Sequence, residues 1–239
     1  MHFFLKVGST FLSTALLLAS CNSSPRSPSA ESPLPSSSAT LPSVSPSVEA
    51  TPSLQPTQDE TPLISAQGIG AAQLGITLAE LKQTLGQDVE FSVKAPFIVD
   101  FDAIAVRKGG EIQYYILYLA GQSFSDQDVI QGVLTDNPKF LTAEGVGAGT
   151  TLEAAVQAYG QATLSYNTQN ESREYARFDR QPAANISFST GNGNTAPAGI
   201  YASPLSEYNE TQEFQPEAKI QSVLVVCLTD ACAPASPSP

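Results

Sequence analysis

Two segments of the chain place apolar residues three or four positions apart, which is the spacing of one face of an α-helix. The apolar stripes consist of Leu78, Leu81 and Leu85 in the first segment and of Leu152, Val156 and Tyr159 in the second. Each stripe covers about three turns, so an isolated helix of this length would be marginal in water. We therefore predict two short helices, each packed on a β-sheet.

The residues that precede the two stripes are typical of helix N-termini. Thr77 is followed three positions later by Glu80, and Thr150 is followed at the same distance by Glu153. A threonine and a glutamate at this spacing can form a capping box, in which each side chain accepts a hydrogen bond from the other residue's backbone. We predict such a box at the start of both helices.

The two helical segments also resemble each other along their whole length. Gly75–Gly86 and Gly149–Gly160 have the same spacing between their glycines and lie 74 residues apart. A period of this length suggests duplicated supersecondary units. The predicted globular region, residues 63–232, is accordingly divided into repeats of about 63–136 and 137–232.

Strands are predicted after each helix. The runs Ile104–Arg107 and Ile112–Leu119 flank a turn that contains Gly109 and Gly110, which is a strong hairpin pattern. The other predicted strands are Val129–Leu134, Thr163–Thr168, Arg173–Phe178, Ile186–Ser189 and Ile220–Leu228. The order of helix and strands, repeated twice, predicts an α+β fold of duplicated helix-plus-antiparallel-sheet units, with the helices packed on one face of the sheet.

A family resemblance supports the same expectation. Leu74-Gly75-Ile76-Thr77, Glu80-Leu81 and Leu85-Gly86 resemble a motif of the small outer-membrane lipoproteins of the barrel-assembly machine, with Ile76 where that motif has methionine. The motif also resembles the tandem-repeat β-lactamase inhibitor protein. The resemblance implies helical elements on an antiparallel sheet. It covers about twelve residues in each copy, so inhibitor or assembly activity does not follow from it.

The N-terminus resembles that of a bacterial lipoprotein. An apolar run, Phe11–Leu18, is too short to span a membrane as a helix and ends in Leu18-Ala19-Ser20-Cys21, which resembles a lipobox. The resemblance implies removal of residues 1–20 and acylation of Cys21, and two or three acyl chains hold a protein on a membrane. The alternative is an ordinary secretory signal whose cleavage site contains a cysteine.

The segment that follows Cys21 is expected to be a tether. Residues 22–62 are rich in serine and proline and lack aromatic side chains, so they cannot bury enough apolar surface to fold. Residues 233–239 have the same composition and are predicted to be a disordered tail. Asn22, rather than an aspartate, follows the lipobox, which favours the outer membrane, with the protein facing the periplasm or the exterior.

Composition excludes several classes of function. The chain has 23 acidic and 11 basic residues, a net charge of −12, which argues against binding to nucleic acid. Its one histidine, His2, lies in the predicted signal peptide. Catalysis or metal binding by histidine is therefore not expected in the mature protein. We predict no cofactor and no metal site.

Two cysteines remain after Cys21. Cys227 and Cys232 lie close together after the last predicted strand, and in an oxidising compartment we expect a disulfide between them. The alternative is one buried thiol and one exposed thiol.

The densest polar clusters lie in the second half of the chain. A rim that could hold a partner or ligand would consist of Glu171, Arg173, Glu174, Glu210 and Glu213. The alternative interpretation is a hairpin with solvated strand faces. The function expected from these features is that of a membrane-anchored, non-enzymatic lipoprotein that binds or scaffolds an envelope protein. The alternatives are a carboxylate-dependent hydrolase of envelope glycans and an inhibitor of a secreted enzyme.

Overall fold

The computed structural model describes residues 63–169, 172–193 and 195–228, all within the compact unit Gln55–Pro239. The described helices are α1 (Leu78–Leu85) and α2 (Leu152–Tyr159). The described strands are β1 (Ile64–Ser65), β2 (Gly68–Ile69), β3 (Ala72–Gln73), β4 (Val89–Ile98), β5 (Phe101–Lys108), β6 (Glu111–Leu119), β7 (Gly132–Thr135), β8 (Ala162–Asn167), β9 (Arg173–Phe178), β10 (Ile186–Asn192), β11 (Tyr208–Thr211) and β12 (Ser222–Val226).

Nine of these strands form one continuous antiparallel sheet in the order β11-β8-β9-β10-β12-β7-β6-β5-β4. The short strands β1, β2 and β3 form a separate antiparallel sheet. The strands of the two chain halves meet where β7 pairs with β12, with Leu134 opposite Leu224. This pairing joins the halves through backbone hydrogen bonds in the interior of the sheet.

The predicted α+β fold of duplicated helix-plus-sheet units is wrong. In the described part of the chain, two helices of eight residues each accompany twelve strands, so the protein is mainly β. The strands do not divide into two sheets with one helix each, because β7–β12 pairing merges them into a single nine-stranded sheet. The similarity between the two helical segments is local, so it could not predict this pairing between distant strands.

The predicted cap of α1 is confirmed. The Thr77 side chain accepts a hydrogen bond from the Glu80 backbone N–H at 3.2 Å, and Glu80 Oε2 accepts one from the Thr77 backbone N–H at 2.7 Å. The backbone hydrogen bond from Thr77 lowers the pKa of the Glu80 carboxyl, because it stabilises the charged form.

The predicted cap of α2 is wrong by one residue. Thr151, and not Thr150, caps this helix by accepting a hydrogen bond from the Ala154 N–H at 3.2 Å. Ala154 has no carboxylate to return the bond, so the capping box of α1 is not repeated. In the predicted apolar stripe of this helix, Leu152 and Tyr159 are buried as predicted, and Ala155 is buried where we predicted Val156, which is only partly buried.

The predicted β5–β6 hairpin is confirmed, since both strands flank Gly109 and Gly110. These glycines have φ values of 61° and 81°, a region that few other residues adopt in a tight turn. The strand β4 was not predicted. It contains Pro96, which is a poor strand residue except at a sheet edge, and β4 is an edge strand.

The two faces of the nine-stranded sheet differ in what covers them, because alternate residues of a strand point to opposite faces. On the covered face, strand residues such as Ile116, Val133 and Phe188 pack in one core with Leu81 of α1 and Leu152 of α2. The opposite face, here called the open face, carries a smaller cluster. That cluster consists of Ala103, Ala105, Tyr115 and Leu117, with Phe97, Phe101, Ile112, Leu134 and Leu224 packed against it.

Candidate functional site

A groove with a volume of about 720 Å³ runs over the open face. This volume lies in the range of sites that bind small organic ligands. The described residues that line the groove are Phe97, Ile98, Phe101, Leu117, Tyr118, Leu119, Gln131, Gly132, Leu134, Arg173, Tyr175, Ser187, Ser189, Gly191, Gly193, Ser222, Leu224, Val226 and Cys227. They come from seven adjacent strands and their connections, so the groove crosses the strands.

The floor of the groove lies where β7 and β12 pair. Leu134 and Leu224 are directly opposite each other there, and both are partly buried. Gly132, two residues before Leu134, leaves space in the floor. A Cβ atom at Gly132 would lie 3.4 Å from Leu117 Cβ and 3.9 Å from Val226 Cγ1, both ordinary contact distances. A larger side chain at Gly132 would therefore project among the residues that line the groove.

One end of the groove is apolar and aromatic. Phe97 and Phe101 line it, and Leu119 lies at its margin with 53% of its surface exposed. The Phe97 ring packs on the Tyr115 ring with 4.6 Å between centroids. Burial raises the pKa of the Tyr115 hydroxyl, and the negative charge of Asp136 raises it further, so Tyr115 is neutral at physiological pH.

The other end of the groove is polar. Ser187, Ser189 and Tyr175 line it, and the β-strand register places Ser189 opposite Tyr175 on β9 and opposite Ser222 on β12. Arg173 also lies here and is the one charged side chain among the described lining residues. The Ser189 hydroxyl donates a 3.0 Å hydrogen bond to the Gly191 carbonyl, next to a bulge between β9 and β10. This end of the groove therefore presents hydrogen-bonding groups and a positive charge.

Glu174 does not lie on the rim where the sequence placed it. Its exposed fraction is 0%, because it points to the covered face of β9, where residues 198–201 lie over it. Side chains of neighbouring strand residues point to opposite faces, so Arg173 reaches the groove and Glu174 cannot. The predicted exposed position of Glu174 was wrong.

Four hydrogen bonds satisfy the Glu174 carboxylate. Oε2 accepts from Thr190 Oγ1 at 2.8 Å and from the Ala198 N–H at 2.7 Å. Oε1 accepts from the Gly199 N–H at 2.8 Å and from the Tyr201 hydroxyl at 2.7 Å. Burial raises the pKa of Tyr201, and its hydrogen bond to Glu174 raises it further. The arrangement is that of a structural anchor, since a carboxylate with four donors and no exposure has no access to a substrate.

The other predicted rim residues are dispersed. Glu210 lies on the edge strand β11, where it is exposed and accepts a 2.9 Å hydrogen bond from the Tyr208 hydroxyl. That hydrogen bond raises the pKa of Tyr208. Glu213 is exposed beyond the end of β11, and Glu171 lies outside the described residues. Of the predicted set, Arg173 alone lines the groove in the part of the chain that the structure describes.

Cys227 is disulfide-bonded and lines the groove next to Val226. Its backbone N–H donates a 2.8 Å hydrogen bond to the Gln131 carbonyl, which holds the end of β12 beside the start of β7. Cys232 and Cys21 lie outside the described residues, so the pairing of Cys227 with Cys232 stays a prediction.

Sequence reasoning did not find the groove. A signal was present in β10, where Ser187 and Ser189 alternate with the buried residues Ile186 and Phe188. Alternation of this kind indicates a strand with one apolar and one polar face. It does not show which other strands place side chains beside those serines, and six of the seven strands that line the groove lie elsewhere in the chain.

Within the described ranges, no group of three or more acidic, histidine or cysteine side chains is arranged to hold a metal ion. Asp102, which is buried, accepts a 3.0 Å hydrogen bond from the Gly121 N–H. Neither α1 nor α2, the helices of the described part, is long and apolar enough to cross a membrane.

No protein-family model matches the chain, and no curated protein does. Among solved structures, the chain is similar to the uncharacterized protein yfeY from Escherichia coli. The two are 15% identical with a TM-score of 0.41, and the alignment covers 69% of this chain and 99% of that one. No conclusion about function rests on this similarity.

Proposed function

We propose that the chain is a membrane-tethered, non-enzymatic binding protein of a bacterial cell envelope, and that the groove on its open face is the binding site. The observation that carries this proposal is the groove itself. It combines an apolar floor around Leu134 and Leu224 with a polar end at Arg173 and Ser189. Binding sites for organic ligands commonly have this composition, in which apolar contacts supply affinity and a few polar groups fix orientation.

The chemistry of the lining favours binding over hydrolysis. Among the described residues that line the groove there is no aspartate, glutamate or histidine. A glycosidase needs two carboxylates on either side of the scissile bond. Glu174, one of the glutamates of the predicted rim, is buried on the opposite face and is held by four hydrogen bonds.

The predicted tether would hold the groove near a membrane surface. The lipobox ending at Cys21 supports a lipid anchor, and the serine- and proline-rich residues 22–62 would let the folded part move away from the membrane surface. Attachment to the outer membrane and a protein partner in the envelope remain predictions from the sequence.

Site-specific photo-crosslinking in intact cells tests the proposal. A photoreactive amino acid replaces Leu119 at the exposed margin of the groove, and a matched variant carries it at Glu153, which is exposed on α2 on the other side of the sheet. We expect a discrete adduct from position 119 and none from position 153. Equal labelling from both positions, or no adduct from position 119, would contradict the groove as a binding site.

A further inference from the structure

We infer that the groove binds an anionic amphiphile, namely a long-chain carboxylate, with its carboxylate at Arg173 and its acyl chain along Leu134 and Leu224 toward Phe101. This inference rests on the proposed function and adds the chemical class of the ligand. Charge, length and the direction of the groove relative to the strands each support it.

The charge of the groove is opposite to that of the protein. The chain carries a net charge of −12, yet the one charged side chain among the described residues of the groove is Arg173. Acidic side chains elsewhere would repel an anion, and among the described lining residues the Arg173 end is the place that attracts one. Lys94, which is outside the lining, lies over the aromatic end with its Nζ 5.4 Å from the Tyr115 ring centroid. The planar guanidinium has five N–H donors and matches a carboxylate in a bidentate geometry, which leaves donors for contacts within the protein.

Hydroxyl groups beside Arg173 also suit a carboxylate headgroup. Tyr175 lies two residues along β9 on the same face, and Ser189 is opposite it on β10. Ser222 is opposite Ser189 on β12. The Ser189 hydroxyl donates to the Gly191 carbonyl, whereas hydroxyls such as those of Tyr175 and Ser222 can donate hydrogen bonds to a carboxylate, so the anion would meet both a positive charge and neutral donors.

The rest of the groove suits an acyl chain. From Arg173 on β9 to Phe101 on β5, the groove crosses five strand spacings, which at the usual separation is about 24 Å. Along this path the lining changes from hydroxyls to Leu134, Leu224 and Leu117 and then to phenylalanines. The distance is of the order of an extended long acyl chain, and the change from polar to apolar follows the polarity of a carboxylate-headed amphiphile.

The direction of the groove argues against an added peptide strand as the occupant. Peptides commonly bind sheets by pairing with the free backbone of an edge strand. The strands in the middle of the groove, β12, β7 and β6, are interior strands whose backbones are already paired on both sides. A ligand lying across them would contact mainly side chains. This suits an acyl chain, because it has no groups that need backbone hydrogen bonds.

The test is calorimetric titration of the full chain carrying Cys21→Ser, which has no acyl anchor and can be handled without detergent. The probe is hexadecanoate below its aggregation concentration. Hexadecan-1-ol and hexadecyltrimethylammonium are compared with it, since they keep the chain but remove or invert the charge. We expect hexadecanoate to bind at least about tenfold more tightly than either, given the usual strength of a charge-assisted hydrogen bond.

Three variants locate the ligand. Arg173→Gln should weaken hexadecanoate binding at least about tenfold, whereas Arg177→Gln, the same change on the same face of β9 but outside the groove lining, should leave it within about twofold. Arg173→Lys keeps the charge and should restore part of the affinity. Gly132→Leu should abolish binding by filling the floor. Circular dichroism establishes that each variant is folded.

Several results would overturn the inference. They are equal affinity for hexadecanoate and hexadecan-1-ol, equal loss in the Arg173 and Arg177 variants, unchanged binding in Gly132→Leu, or no binding of hexadecanoate at all. If hexadecanoate does not bind while position 119 still gives a crosslinked adduct, the ligand class is wrong and the proposed binding function stands. A protein adduct at position 119 would then identify a protein as the occupant. Absence of both signals would overturn the binding site as well.

Discussion

Glu174 Oε1 accepts a 2.7 Å hydrogen bond from the Tyr201 hydroxyl. This contact joins β9 to the connection between β10 and β11, in which Tyr201 lies. The two residues are 27 positions apart in the chain. The Tyr201 ring also stacks on Tyr166 of β8, with 5.6 Å between centroids. A buried carboxylate thus holds the connection between β10 and β11 against the sheet.

Removal of the Glu174 carboxylate should destabilise the protein strongly. Glu174→Ala leaves the Ala198 and Gly199 N–H groups and the Thr190 hydroxyl without their acceptor in a buried environment. Each unsatisfied buried group costs about 1–3 kcal/mol, so we expect a loss of at least about 3 kcal/mol in the free energy of unfolding. Urea denaturation, with midpoints compared at constant slope, measures it.

The control for this variant is Glu210→Ala. Glu210 is exposed on β11, and we expect the free energy of unfolding to change by no more than about 0.5 kcal/mol. Similar midpoints for the two variants would contradict the anchoring role of Glu174. Hydrogen exchange should also show faster exchange of the Ala198 and Gly199 amides in the Glu174 variant.

Alkaline pH should weaken the fold through Tyr201. Burial raises its pKa above the value of about 10 that a tyrosine has in an unfolded chain. Below pH 10 both states keep the proton, so the contribution of Tyr201 is fully present. Above pH 10 the unfolded state loses its proton first, and the stability that the neutral hydroxyl provides is lost as the pH rises toward the higher pKa of the folded state.

The measurement is the free energy of unfolding from pH 8 to pH 11.5. Tyr201→Phe should be less stable than the unsubstituted chain at pH 8. Above pH 10 its stability should fall less steeply, by up to about 1.4 kcal/mol per pH unit, which is the contribution of one proton. Other tyrosines with raised pKa values supply the remaining slope, namely Tyr115, Tyr118, Tyr159 and Tyr208. An unchanged slope would show that Tyr201 ionises equally in both states.

Replacement of Cys21 should release the protein from membranes. Cys21→Ser removes the sulfur that the lipobox would present for acylation, and the remaining chain should appear in the soluble fraction after a high-salt wash. Fractionation followed by immunoblotting measures the distribution, with Ser20→Ala as a control that keeps the small residue and the cysteine. Retention of Cys21→Ser in the membrane pellet would show that another interaction anchors the chain.

Local features of the fold were predictable because neighbouring residues create them. Thr77 and Glu80 cap α1 through hydrogen bonds that span three residues, and Gly109 and Gly110 form the turn of the β5–β6 hairpin. The one-residue error in the predicted cap of α2 also concerns a local pattern. Thr151 stands two positions after Gly149, as Thr77 stands two positions after Gly75, and that spacing identifies the cap better than the glutamate at position 153.

The groove was less predictable because it depends on which strands are neighbours. The sequence contains Arg173 and Ser189 as separate polar residues, and strand pairing brings them to the same end of one surface. Likewise, Leu134 and Leu224 are distant in the chain, and only the β7–β12 pairing makes them the floor of the groove. Contacts of this kind depend on burial and backbone pairing over the whole sheet.

The sequence alone determined where α1 begins, where α2 begins to within one residue, where most strands lie and which turn joins β5 to β6, because these features depend on hydrogen bonds and side-chain periodicity within a few residues. The segment ending at Cys21 resembles a lipobox, which is also a linear pattern, and the lipid anchor that it implies stays a prediction. Only the tertiary structure decided that the strands form one sheet, that Glu174 is buried and that Arg173 faces a groove. The physical reason is that neighbouring strand residues point to opposite faces, and what covers each face is set by packing between distant segments.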